Sequence, residues 1–208
     1  MNPLHYFFGN DKQRAKFIFD FIAPLYGQLD KAVQEGYARI SNKLNKHIPL
    51  KNYTILDIGT GTGGWLASIA VHSEKEKKGI DFSEKMIIQA KKNHPNLNFS
   101  RIDAEDMSSI KDKSYDIVTA SFVLHGMKAN ERKIVLGEMQ RIARKYVLIH
   151  DFRNKTAPFV QVLEFLERSD YKNFKKNFDK EMNSYFKSTD IIECDNGNAV
   201  YIGKMDKL

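Results

Sequence analysis

The sequence predicts an α/β domain: a mostly parallel seven-stranded sheet finished by a C-terminal antiparallel hairpin, with a helical cap at the N-terminus. Three observations carry this. The first is Thr54-Ile55-Leu56-Asp57-Ile58-Gly59-Thr60-Gly61-Thr62-Gly63-Gly64-Trp65, an apolar run followed by alternate glycines, as a buried strand turning sharply into a helix requires. The second is the regular exchange of strand-like and helix-like segments that follows, the signature of parallel βα units with right-handed crossovers. The third is Asn196-Gly197 between two strand-like runs, a strong hairpin signal.

Composition bounds the rest. A chain of 208 residues with 42% hydrophobic and 28% charged content suits one domain with a full core. We divide it into a cap over residues 1–48 and a core over 49–208. No apolar run approaches the ~18 residues of a membrane span. The opening Met1-Asn2-Pro3-Leu4-His5-Tyr6 carries no basic-then-apolar leader, so a cytoplasmic protein is expected. Cys194 is the sole cysteine, which excludes an internal disulfide and argues against a cysteine metal site; no metal is predicted, and Cys194 serves as a small filler in a late strand. The net charge of +7 raises nucleic acid or an anionic membrane as partners. Many lysines alternate with acids, as in Glu74-Lys75-Glu76-Lys77-Lys78, and that pattern favours a solvated surface.

Taken in order, residues 11 to about 48 read as two helices. Phe17, Ile18, Phe21, Ile22 and Leu25 form one apolar stripe that Pro24 ends or bends, and a second helix runs from near Gln28 to His47. Strands follow near 53–58, 77–81, 97–102, 115–120 and 145–151, with helices near 63–72, 83–93 and 130–143. Residues 156–186 are helical and amphipathic, with Phe174, Phe178 and Met182 on one face and Lys172, Lys175, Lys176 and Lys180 between them; a helix lying on the sheet with solvated lysines is expected. The runs 189–194 and 199–204 make the hairpin.

Ligands of such sheets lie beyond the carboxyl ends of the strands, so the informative residues should follow each strand. Gly59, Gly61 and Gly63 allow positive φ and bring bare amides to a ligand at a helix start, with Asp57 and Thr60 beside them. The spacing fits a dinucleotide fingerprint and a second pattern, Asp57-x-Gly59-x-Gly61-x-Gly63. After the second strand, Asp81 is placed to accept from ribose hydroxyls; Phe82 and Met86 lie in the same segment, and Ser83 caps the next helix. After the third, Asp103-Ala104-Glu105 can read an adenine edge, Asp103 accepting from the amino group and the Ala104 amide donating to a ring nitrogen.

The second glycine pattern and Asp103-Ala104-Glu105 resemble the motifs of class I S-adenosylmethionine (SAM)-dependent methyltransferases, a Rossmann-like family. The terminal hairpin favours the same family over an NAD domain. The resemblance spans about residues 50–208 and implies SAM as cofactor and a small-molecule methyl acceptor. It also implies that Ser121 and Phe122, after the fourth strand, line the methionine end. Glu138-x-x-Arg141 resembles the end of the family's next helix, but the usual Lys-Pro-Gly-Gly turn is replaced by Ala143-Arg144-Lys145, which tightens the connection. Phe19-Asp20-Phe21-Ile22-Ala23-Pro24-Leu25-Tyr26 is similar to the entry segment of ubiquinone/menaquinone-biosynthesis C-methyltransferases, with Gly27 where an aspartate is usual, so the acceptor is expected to be aromatic or quinone-like. If the acceptor needs a base, His125 and His150 are the candidates, and Tyr26 would reach the site from the cap. The alternatives are an RNA or DNA methyltransferase and a SAM-binding protein without turnover. Ser121-Phe122-Val123-Leu124 lacks the Asn/Asp-Pro-Pro-Tyr/Phe motif of amino-directed nucleic-acid enzymes, so nucleic acid is disfavoured.

Overall fold

The structure, a computed structural model, describes residues 30–154 and 169–205. The expected first helix and Tyr26 lie outside the described residues, as does the first part of the expected 156–186 helix. Strands β1 (Ile55–Ile58), β2 (Lys77–Asp81), β3 (Asn98–Arg101), β4 (Tyr115–Ser121), β5 (Ala143–Phe152), β6 (Ser188–Glu193) and β7 (Asn198–Lys204) form one sheet in the order β3-β2-β1-β4-β5-β7-β6. The pairs from β3 through β5 are parallel, and β7 is antiparallel to both β5 and β6. The chain thus builds outward from β1 in one direction, returns, and builds outward from β4 in the other. β1 and β4 are buried along almost their whole length, as central strands covered on both faces must be.

Helices α1 (Asp30–His47), α2 (Gly64–Ala70) and α3 (Glu84–Asn93) cover one face; α4 (Ala129–Ile142) and α5 (Tyr171–Tyr185) cover the other. α1 is the second helix of the expected cap. Its Leu44, together with Ile48 just beyond it, is buried with Trp65, Leu66 and Ile69 of α2 and with Leu148, Ile192 and Val200 of the sheet. It is fastened across the sheet edge by Lys43, which donates to the Glu193 carbonyl at 2.5 Å, and by His47 against Asp190 at 3.1 Å. This helix is therefore a layer of the core. α5 lies as expected, with Phe174, Phe178 and Met182 buried and Lys172, Lys176 and Lys180 exposed.

The altered connection after α4 has a clear structural outcome. α4 ends at Ile142 and β5 begins at Ala143 with no turn between them. The pairing absorbs this in a bulge: Tyr115 faces Ala143, but Ile117 faces Tyr146. Arg144 lies in this one-residue bulge, and its Nε donates to Asp116 at 3.1 Å. Arg141 clamps the other side of the helix end, donating to Glu138, Asp112 and the carbonyls of Met107 and Ile110.

Candidate active site

The strand order reverses between β1 and β4, and the crevice there holds the glycine turn. Gly59, Gly61 and Gly63 have φ of +63°, +54° and +88°, which L side chains rarely adopt. The three are needed for different reasons. A Cβ on Gly59 would sit 2.6 Å from Val123 Cγ2, and one on Gly63 2.8 Å from the His94 ring, whereas one on Gly61 would meet nothing. Gly61 therefore presents bare backbone toward open space, as a ligand cradle must.

Three carboxylates surround this turn. Asp81, at the tip of β2, accepts from the Gly61 amide at 2.9 Å and the Ser83 amide at 2.8 Å, so the second strand's acid shapes the first strand's loop. Ser83 caps α3 by accepting from the Met86 amide at 3.2 Å, and Met86 is buried. The Phe82 carbonyl accepts from Arg101 Nε at 3.1 Å, tying this turn to β3. Asp103 accepts from the Glu105 amide at 3.1 Å and folds Asp103-Ala104-Glu105 into a tight turn, held beside β2 by the Ile102 amide donating to Asp81 O at 3.1 Å. Asp57, at the end of β1, is the unusual one. It is 1% exposed, and neither carboxylate oxygen has a hydrogen-bond partner; the buried Thr60 hydroxyl is likewise unpartnered. Burial pushes the Asp57 pKa up to about 8; the neighbouring Thr60 hydroxyl offsets part of this, short of a formed hydrogen bond, and the charge of Asp81 adds to it. A buried acid of this kind is suited to a cationic group presented at the turn.

At the ends of β4 and β5, the structure brings Ser121, Phe122, His125 and His150 together but separates the two histidines. His150 lies on the α1–α2 face, 1% exposed, stacked on Trp65 at 5.1 Å between centroids and edge-on to Tyr37 at 5.8 Å. Its Nδ1 pairs with Ser121 Oγ at 2.9 Å, and Ser121 Oγ donates to the Tyr37 hydroxyl at 3.3 Å. Burial lowers the His150 pKa to about 4, only partly countered by the charge of Asp151, so the ring is neutral and weakly basic at pH 7. His125 lies on the α4–α5 face, in the short 3-10 turn Leu124–Gly126, with Nδ1 2.7 Å from Asp151 Oδ1. Phe122 stands between the two, 4.7 Å from the His150 ring and 6.3 Å from that of His125, with φ of +54°. For a bulky aromatic residue that conformation is strained.

Sequence reasoning missed Tyr37, Trp65 and Asp151. Asp151 could have been found, because it follows a strand-end histidine in the same position as the other strand-end acids. Nothing in local sequence marks Tyr37, whose contacts reach across more than eighty positions to Ser121. A cleft of about 780 Å³ lies between Glu105, Asp106 and Ser108 on one side and α4 on the other. It is open and shallow, and Ser121, Phe122, His125 and His150 do not line it.

Sheet order, terminal hairpin and glycine turn together define a class I SAM-dependent methyltransferase fold. Residues 55–146, a little under half of the chain, match the family model described as a methyltransferase domain. It is 34% identical over 111 residues to the demethylmenaquinone methyltransferase of Chlorobaculum parvum, covering 50% of this chain and 46% of that one. The corresponding protein of Bacteroides fragilis is 27% identical over 146 residues, covering 65% and 58%. The matches thus span about half the length of these curated relatives. Among solved structures, a SAM-dependent methyltransferase from Thermotoga maritima, described as a possible histamine N-methyltransferase, superposes with a TM-score of 0.70 at 17% identity, covering 91% of this chain and 98% of that one. At that identity the likeness establishes the fold alone.

Proposed function

We propose that this chain is a SAM-dependent methyltransferase acting on a small-molecule acceptor, aromatic or quinone-like in character. The observation that carries the reading is the buried, unpartnered Asp57 carboxylate behind three positive-φ glycines. Such a group is costly unless a cation meets it, and the amino group of the methionine moiety is one. The residues fit the cofactor along its length: Asp57, Thr60 and the bare backbone of the Gly59–Gly63 turn at the amino-acid end, Asp81 at the ribose, and Asp103, Ala104 and Glu105 at the adenine. Phe82 and Met86 add apolar surface, and Ser121 and Phe122 lie where the methionine end would reach.

When bound, SAM supplies an activated methyl group: the new bond to the acceptor forms as the carbon–sulfur bond breaks and its electron pair stays on sulfur. The chain's task is to orient and to exclude water. The aromatic rings of Phe122, Phe152 and Tyr171 supply a dry wall at the strand ends, with Phe152 4.9 Å from Phe122 and 5.1 Å from Tyr171 between centroids. An aromatic acceptor is supported by that wall and by the likeness to demethylmenaquinone methyltransferases. Calorimetry with S-adenosylhomocysteine tests the cofactor assignment: micromolar-range uptake is expected from the wild type and loss of about tenfold or more from Asp57→Asn. Folded protein that binds none would end it. Labelled SAM incubated with a size-fractionated extract tests the acceptor class, since label should enter the low-mass fraction and not polymer.

A further inference from the structure

We infer that His150 Nε2 and Asn198 Oδ1 form the polar end of the methyl acceptor's site and take a hydrogen bond from a hydroxyl on that molecule. The inference rests on the methyltransferase reading and adds to it the residues that select the acceptor.

Two buried atoms without a hydrogen-bond partner carry it. Val200 and Ile202 of β7 lie in the core with α1 and α2, and residues alternate across a strand, so Asn198 shares their face of the sheet. His150 faces Val200 across the β5–β7 pair, and Phe152, two positions on, faces Asn198. His150 and Asn198 are therefore diagonal neighbours on one face at the carboxyl end of β5, about 7–8 Å apart between Cα atoms.

Both atoms accept. Ser121 Oγ gives its one hydrogen to the Tyr37 hydroxyl, so it accepts from His150 Nδ1 at 2.9 Å, and the lone pair of the neutral ring is left on Nε2. Asn198 Oδ1 is a carbonyl oxygen. The described neighbours do not supply the missing hydrogen. Trp65, stacked on His150, donates its Nε1 hydrogen to Thr119 Oγ1 at 3.0 Å, the Phe122 amide donates to the His150 carbonyl at 2.9 Å, and Arg153 is paired with Asp179 and Glu193. A buried acceptor without a donor destabilises a fold. Two of them where such sheets bind their ligands are matched by a molecule that brings the hydrogen. Because the ring is weakly basic, its part is to hold the hydroxyl and not to remove its proton.

The surroundings fit an aromatic body behind that hydroxyl. Of the rings against His150, Trp65 is buried, but Tyr37 and Phe122, at 5.8 and 4.7 Å, are half-exposed, as are Phe152 and Asn198. One side chain's thickness therefore separates the imidazole from solvent, and a swing of Tyr37 or Phe122 admits a ligand. The wall of Phe122 and Phe152 runs up to this polar end, so a ring lying on the wall points its hydroxyl at the pair.

The test uses the full chain with S-adenosylhomocysteine bound, and 1-naphthol and 1-methoxynaphthalene as probes, which share a ring system but not the hydroxyl hydrogen. 1-Naphthol should bind about tenfold or more tightly than the ether, and should slow label transfer from SAM to the low-mass extract fraction more than the ether does. Nitrogen-15 spectra should show His150 with its hydrogen on Nδ1 and its Nε2 signal shifted by 1-naphthol but not by the ether. His150→Phe, which keeps a flat ring and removes Nε2, should bind the two probes alike, with S-adenosylhomocysteine affinity within about threefold of the wild type. Asn198→Ala should weaken 1-naphthol about threefold or more and leave the ether unchanged. Equal affinity of the wild type for the two probes overturns the inference, as does a His150 Nε2 signal that 1-naphthol leaves in place, whether bare or held by a buried water. An undiminished preference for 1-naphthol in either variant does the same. If S-adenosylhomocysteine itself is not bound, it is the cofactor reading that fails, and the probes added to the chain alone still decide this site.

Discussion

At the scale of single residues, Asp57 carries the sharpest consequence. Its folded pKa, about 8, stands above the ordinary value of 3.8, so the folded state holds a proton on it that the unfolded state has released. The stability this provides is complete below pH 3.8 and is lost as pH rises through 8. His150 works the other way. Its folded pKa of about 4 lies below 6.5, so its contribution is present above pH 6.5 and is lost as pH falls toward 4. The two slopes oppose each other in mild acid, and above pH 6.5 that of Asp57 remains alone. Asp57→Asn should therefore melt higher than the wild type at pH 8.5, with the difference shrinking steadily as pH falls and closing only below about pH 4, as thermal denaturation across pH will show; an unchanged difference would mean that the acid is not protonated in the fold. A cation against Asp57 should also expel its proton. Binding of S-adenosylhomocysteine at pH 7 should then give a heat that depends on the buffer's ionisation enthalpy, and Asp57→Asn should show none of that dependence.

At the scale of elements, the joint between α4 and α5 decides how firmly the acceptor side is built. Arg132 is fully buried, donating to Glu181 through Nε and Nη2 at 2.9 and 2.8 Å, to Asp170 at 2.9 Å and to the Met127 carbonyl, with its guanidinium 5.6 Å from the Phe174 centroid. Breaking a buried pair costs about 3–5 kcal/mol. Asp170 and Glu181 stay 25% and 22% exposed, so water can resolvate them and the lower end applies. Arg132→Met should lose about that much in urea unfolding, with amide protection falling first in α5 and in the turn that carries His125. Equal protection losses in β1 and α5 would show that the joint is not local. This joint was not legible in the sequence, since Arg132 sits among exposed polar positions of α4 and its partners come 38 and 49 residues later. The glycine turn, by contrast, was legible, because its requirement is backbone conformation at consecutive positions.

At the scale of the whole molecule, the N-terminal segment divides in two. Residues 30–48 supply Leu44 and Ile48 to the core under α2, so a chain lacking residues 1–48 should bare Trp65, Leu66 and Ile69 and lose cooperative melting. We propose that residues 1–29 act as the cap. A chain lacking only these should melt cooperatively and bind S-adenosylhomocysteine more weakly, and undiminished binding would remove the cap from the proposal. The sequence by itself determined the parallel sheet, the hairpin, the glycine turn and the acids at the strand tips, because each of these follows from local periodicity, local φ or adjacency to a strand end. Tertiary structure alone decided which face each histidine occupies. Residues alternate across a strand, so Asp151 and His150 point to opposite sides of the sheet, and only packing shows that one side offers Trp65 and Tyr37 and the other offers His125. The pairings of Arg132 and Tyr37 arise in the same way, from distant segments that meet only after the sheet has closed.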